Sequence, residues 1–491
     1  MGAWLLTCLM MVAAAAPARG AAQQGADGAP LEILHDFTLI DGRGGTPVPD
    51  AALAIRGDLI VAAGPRVDLL RRSEAAGENA ILVDLGGGYV VPGLIDTHVH
   101  LATVPNRRRA EAELYRALYS GVTAVRDMAG DARALASLAR DARLGEIEAP
   151  DVLYSALMAG PSFFADPRPQ SSAAGEKAGS VPWMQAVTSE TDVVLAVALA
   201  RGTSASGVKI YANLEAGLVE RITAEAHRQG MTVWAHSMVF PARPLEVVRA
   251  GVDVISHACR LAWEGMATAP GEYHHERVPD YALLSVDAPI YGELFREMRS
   301  RGTILDATLA LYARADRMRS EDPEARTPVR CDTDFARALV RRAHAEGVPV
   351  TAGTDFANDP EEPFPSLHDE LAELVEHVGM SPLEAIEAAT RVAARALGID
   401  ATHGTLEPGR VVNFVLLGAD PLADITNLES VREVWKNAER FPRSEYQPRA
   451  EPGTGSGERS GGWAAASGRA AAGGWAAAGG RAATTGGAAS R

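Results

Sequence analysis

Between Leu31 and about Val90 the chain sets short apolar runs among turn residues. LEILHDFTLI, AALAIRGDLIVAAG and ILVDLGGGYVV are punctuated by Gly, Asp and Pro, and this texture predicts strands. From Val91 onward the pattern changes. Short apolar runs at Val91–His98, Val122–Asp127, Val152–Ala159, Gly207–Tyr211, Thr232–His236, Val252–His257, Thr303–Leu309 and Val348–Thr354 alternate with longer segments of helical spacing. In LVERITAEAHRQG, residues Leu218, Val219, Ile222 and Ala226 share one helical face, and Gly230 ends it. Eight strands alternating with helices predict an α/β fold of the (β/α)8 barrel type over residues 91–402. The competing open, doubly wound sheet wants a glycine-rich phosphate loop after its first strand, and GLIDTHVHLA has none. The strand-rich texture returns in GTLEPGRVVNFVLLGADP and VREVWKNAERF, within residues 403–445.

Composition changes this picture mainly at the two ends. The 491 residues are 47% hydrophobic and 22% charged, ample for a large core. A net charge of −16 argues against nucleic acid or an anionic membrane as partner. Residues 1–22 read as an export signal, with an apolar run from Ala3 to Ala16 too short to span a bilayer and small residues after it. The expected location is therefore periplasmic or secreted. Cys8 falls within the signal, which leaves Cys259 and Cys331; their spacing does not decide whether they pair. From Pro448 the chain collapses to Gly, Ala, Ser, Thr and Arg, so residues 449–491 are expected to be a disordered tail. Its Trp463 and Trp475 are partner anchors or part of a neutral extension.

Chemistry in such a barrel sits at the carboxyl ends of the strands. Those ends carry His98 and His100 on the first strand, Lys209 on the fourth, His236 on the fifth, His257 on the sixth and Asp355 after the eighth. Residues two apart leave a strand on the same side, so His98 and His100 can face one ion. His-x-His alone is a weak signal, and a lone histidine after a strand is more often structural. The conjunction carries the argument: of twelve histidines, these four fall at predicted strand ends, whereas His227, His344, His368 and His377 read as solvated. Lys209 is unusual in its own right. Of 47 basic residues only Lys177, Lys209 and Lys436 are lysine, so the position asks for an amine.

VVPGLIDTHVHL, GVTAVRD, VKIYANL, VWAHS, GVDVISH, VTAGTDF, SPLEAIEAATRVAARALGI and GTLEPGRVVNFVLLGADPL, in this order, resemble the amidohydrolase superfamily. The resemblance is to its imidazolonepropionase-like and Xaa-Pro-dipeptidase-like branch and covers about Leu31 to Phe441. It implies a barrel with a small β-sandwich built from both flanks, residues 31–90 and 403–445. It also implies two divalent metal ions, expected to be zinc: His98, His100 and Asp355 on the first, His236 and His257 on the second. Lys209, carboxylated by CO2 to a carbamate, bridges them. Asp355 then relays a proton and Tyr211, just beyond Lys209, is a hydrogen-bond donor to the reacting carbonyl; barrel-rim packing is its bland alternative. Asn413 and Ser256 stand where the family often has Asp and Glu.

The function implied is hydrolysis of an amide or peptide bond by a hydroxide held at the binuclear site, of Xaa-Pro-type dipeptides or N-acyl amino acids. A cyclic-amide hydrolase, a deaminase, a lactonase or a phosphotriesterase are enzyme alternatives, and a non-catalytic binding protein on the same barrel is the alternative of another class. The expected partners are a small-molecule or dipeptide substrate and a second copy of the chain. Specificity is expected from the long segments after the third and sixth strands, where Phe163, Phe164 and Trp183 offer apolar surface. Arg168, Arg260 or Arg277 offer a partner for a substrate carboxylate, and His274 and His275 face the mouth in this reading.

Overall fold

The computed structural model describes residues 28–273, 277–322, 329, 331–355 and 362–449. The expected export signal, the tail beyond its first residue, and His274 and His275 lie outside the described residues.

Five flanking strands come first: β1 (Leu31–Leu39), β2 (Val48–Arg56), β3 (Leu59–Pro65), β4 (Ile81–Asp84) and β5 (Tyr89–Pro92). They join the last three, β16 (Phe414–Leu417), β17 (Val431–Lys436) and β18 (Glu439–Pro442), in one mixed sheet ordered β18-β17-β16-β5-β1-β2-β3, with β4 also on β1. The junction between the flanks is antiparallel, Phe414 to Leu417 facing Pro92 to Tyr89. Leu34, Phe37, Leu53 and Val90 from one flank pack with Leu406, Val412, Phe414 and Trp435 from the other. This shared cluster makes the ends of the chain fold as one unit. Asn413 serves this junction: its Oδ1 accepts from the Asn437 backbone at 2.8 Å.

The barrel strands are β6 (Leu94–Val99), β7 (Val122–Asp127), β8 (Asp151–Ala159), β11 (Gly207–Ile210), β12 (Thr232–His236), β13 (Val254–Ser256), β14 (Ile304–Asp306) and β15 (Val350–Thr351). All pair in parallel in chain order. Thr97 N donating to Ala352 O and Asp355 N donating to His98 O bring the first strand to the last, which nearly closes the ring. Each predicted strand is present; the expected eighth strand is shortened to two residues, and the expected first strand is cut at Gly93. Tyr89–Pro92 goes to the flank sheet and Leu94–Val99 to the barrel. A side chain at Gly93 would overlap Thr123, so a bare backbone is what lets one run serve two sheets.

The segment after β8 is not the plain loop its composition suggests. It holds a 3-10 turn (Pro161–Ala165), a helix (Pro167–Ala173) and the short strands β9 (Ser180–Val181) and β10 (Met184–Ala186). The barrel's opposite end is sealed by the helix Arg391–Leu397, whose Ala393, Ala394 and Leu397 pack on Ile95, Trp234, Val254 and Ile304. Cys259 and Cys331 are joined as a disulfide, with their Cα atoms 5.6 Å apart. Among the described residues no helix is long and apolar enough to cross a membrane.

Candidate metal centre

All six residues expected at the strand ends meet at the open end of the barrel. His98 is the penultimate residue of β6, Lys209 the third of β11 and His236 the last of β12; His257 follows β13 directly. The Asp355 carboxylate is the hub. Its Oδ1 lies 2.6 Å from His100 Nε2 and 3.1 Å from His98 Nε2, and its Oδ2 lies 3.6 Å from His257 Nδ1. The rings of His98 and His257 are 5.2 Å apart, and those of His236 and His257 4.8 Å.

Local backbone aims these side chains inward. His257 (φ 78°) and Asp355 (φ 48°) both adopt the left-handed conformation that non-glycine residues avoid. Each is held by a cross-strand bond: His257 N donates to Asp306 O at 2.9 Å, and Asp355 N to His98 O at 2.8 Å. His257, directly after β13, and Asp355, four residues after β15, thus carry a backbone cost that neighbouring structure maintains.

Two acids join the site that the strand-end reading did not select. Asp306, at the end of β14, lies 2.6 Å from His98 Nδ1 and is fully buried. Its carboxylate oxygen meets His98 Nδ1 and leaves His98 Nε2 facing Asp355. An aspartate inside the apolar run TILDATL was the available signal. Asp96 accepts from His98 N, Thr354 N and Thr354 Oγ1, yet burial pushes its pKa up to about 7. His368, expected to be solvated, is also buried: its Nε2 lies 3.1 Å from Ser120 O.

The electrostatics separate donors from acceptors. Burial holds His236 and His257 well below the usual imidazole range, so both rings are neutral with a lone pair available. Burial acts on His98 as well, but Asp355 and Asp306 outweigh it and raise His98 to about 9. Asp355 is buried too, yet the charge of His98 and the hydrogen bonds from His98 and His100 hold it well below the carboxylate range. Lys209 is 1% exposed. Burial lowers its amine to about 8, and among the described residues it forms no ion pair; its Nζ donates to Ser256 Oγ at 3.3 Å. Ser256, noted as a departure from the family pattern, therefore touches Lys209 itself.

Tyr211 follows β11 and lies beside His236, with ring centroids 3.9 Å apart. Its hydroxyl accepts from Arg168 Nη1 at 3.0 Å, and Asp166 holds Arg168 through Nε and Nη2. Phe163 stacks on Tyr211 at 4.4 Å. Phe164 packs on Phe163, and Trp183 lies under Arg133, so Phe163 is the member of that aromatic trio in ring contact with Tyr211.

The donor set fits divalent ions. His98, His257 and Asp355 present ligand atoms all within 4.8 Å of one another, and imidazole with carboxylate is a common ligand set for zinc. His236 Nδ1 and Asp306 Oδ1 are buried without a hydrogen-bond partner among the described residues, a condition that bound ions would relieve.

Known proteins resemble this chain throughout its barrel. Residues 89–441 match the amidohydrolase family. Imidazolonepropionase of Ralstonia nicotianae is 28% identical over 410 residues, covering 80% of this chain and 92% of that one. Ochratoxinase of Aspergillus niger is 26% identical over 471 residues, covering 84% and 87%. Among solved structures, A. niger ochratoxinase superposes with a TM-score of 0.66 at 23% identity, over 86% of this chain and 98% of that one. A Xaa-Pro dipeptidase with bound methionine gives 0.61 at 20% identity, over 84% and 100%. At these identities the structural likeness concerns the fold.

Proposed function

The chain belongs to the amidohydrolase family and is a hydrolase of amide-type C–N bonds, and we propose that it cleaves peptide or N-acyl amino acid substrates at the cluster around Asp355. The observation that carries this is the contact of three histidines, His98, His100 and His257, with the single Asp355 carboxylate, with His236 against His257 and Lys209 buried beside Ser256.

His98, His100 and Asp355 would hold one divalent ion, and His236 and His257 a second. Lys209, carboxylated on its uncharged amine, would lie between them. Zinc suits these ligands. Bound there, the ions would acidify a water and polarise the scissile carbonyl. Asp355, kept anionic by His98 and the hydrogen bond from His100, takes the proton of the attacking water at a carboxylate oxygen and returns it to the leaving nitrogen. Tyr211 donates its O–H to the carbonyl oxygen as negative charge develops there. Arg168 can only donate to that phenol, so it fixes the ring while consuming none of its protons. The branch resemblance to Xaa-Pro dipeptidases favours dipeptides ending in proline. Export to an oxidising compartment accompanies this reading, since the Cys259–Cys331 disulfide suits one.

A chelator is expected to abolish hydrolysis of a panel of Xaa-Pro dipeptides and N-acyl amino acids. Added zinc should restore it with about two ions per chain by elemental analysis. Full turnover in metal-free protein would reject the centre. Tyr211→Phe is expected to lower kcat by about 100-fold with KM little changed, the mark of an interaction made in the transition state. Unchanged kcat would return Tyr211 to rim packing.

A further inference from the structure

We infer that Arg260 is the residue that reads the substrate, by binding a free carboxylate next to the scissile amide. This deepens the amide-hydrolase reading above and rests on it for the bond that is cut.

Arg260 lies three residues beyond His257, in the short helix Ala258–Leu261 that leaves β13. The adjacent Cys259 is tied by its disulfide to Cys331, which leads into the helix Thr333–Ala345, so the base of this helix is anchored. The Arg260 guanidinium lies over Tyr273, 5.0 Å from the ring centroid, and 5.9 Å from the ring centroid of Phe240. Nη2 reaches the Tyr273 hydroxyl at 3.5 Å. Tyr273 in turn is 5.6 Å from Tyr211 and 6.0 Å from His236, centroid to centroid. The guanidinium is thus one aromatic ring away from the residue proposed to contact the carbonyl.

The other candidate cations drop out on pairing or exposure. Arg168 is neutralised by Asp166 at 2.8 Å. Arg277 is exposed. Arg260, half-buried, makes no ion pair among the described residues, and the groups around it are phenols and aromatic faces. A guanidinium in low-dielectric surroundings with its charge unmatched, and planar donors left over, is a receptor for a planar anion. A carboxylate is the anion that an N-acyl amino acid or a dipeptide carries one carbon from the scissile nitrogen. The selected substrate class is therefore an amide whose leaving group is an amino acid with a free carboxylate, in preference to neutral amides, cyclic amides or lactones.

The test compares N-acetyl amino acids and Xaa-Pro dipeptides with their primary carboxamides. Wild-type zinc-loaded protein should prefer each acid by about 100-fold in kcat/KM, the worth of a charge-assisted hydrogen-bonded pair. Arg260→Met should remove that preference by raising KM for the acids while leaving the carboxamides within about threefold. Arg260→Lys, a charge without the planar fork, should recover part of it. Equal losses on acid and amide, or no preference in the wild type, overturn the assignment. Calorimetric binding of the same acids and carboxamides to wild type and Arg260→Met separates the two hypotheses. Arg260-dependent binding of the acids without turnover would sink the amidase reading and keep this one. Indifferent binding would sink the carboxylate assignment even if amides are cleaved.

Discussion

Asp355→Asn is expected to reduce kcat by about 1,000-fold on every amide this protein cleaves, with KM changed by much less. Asparagine keeps the shape of the side chain and can still face His98 and His100, but it cannot take up a proton at neutral pH. The size follows from position. One carboxylate touches three histidines and is held anionic by His98 and the hydrogen bond from His100, so at neutral pH it begins each turnover as a base. The substitution also removes the largest influence raising His98, so His98 should titrate at a lower pH in the metal-free variant. Steady-state kinetics at matched metal content, with elemental analysis of each preparation, is the check. A variant that keeps its metal and retains a rate within tenfold of wild type would remove Asp355 from proton transfer and leave it as a ligand.

The second large effect concerns Lys209. Lys209→Arg keeps a cation but cannot present a primary amine to CO2, and it is expected to lose at least one ion per chain and about 1,000-fold in kcat/KM. Replacement by methionine should behave alike, which separates loss of the amine from loss of charge. Reconstitution of metal-free wild type should require bicarbonate as well as zinc. It should also proceed faster as pH rises through about 8, because the burial-lowered amine is increasingly uncharged there and only the uncharged form adds CO2. With 13C-labelled bicarbonate, a carbamate resonance should appear in wild type and be missing from both variants. Two ions and full rate in Lys209→Arg would reject the carbamate.

Much of the site was legible because barrel chemistry is written at the ends of apolar runs. His98, His100, Lys209, His236, His257 and Asp355 each stand at or just past such a run; the structure sets His98, His100 and His257 on Asp355, His236 against His257, and Lys209 on Ser256 beside them. Asp306 escaped because an aspartate within TILDATL looks like an ordinary strand end until His98 is placed against it, 208 residues away in sequence. His368 was misread for the converse reason: it lies in the charged segment LHDELAE, but its helix turns that side chain onto the Ser120 carbonyl. Pattern reports which residues alternate with water; it does not report what a polar side chain meets once buried.

Local sequence determined the alternation of eight strands with helices, the strand-rich flanks, and the set of side chains at the strand ends, since period-two and helical spacing are properties of neighbouring residues. Tertiary structure decided the rest. It cut the first apolar run at Gly93 so that two sheets share it, and it joined the chain ends through Phe414 to Leu417 against Pro92 to Tyr89. It paired Cys259 with Cys331, placed Ser256 on Lys209, and left Arg260 without an acidic partner among the described residues. These are contacts between segments distant in sequence. Their energies come from burial, shape and unpaired charge in three dimensions, which no local pattern encodes.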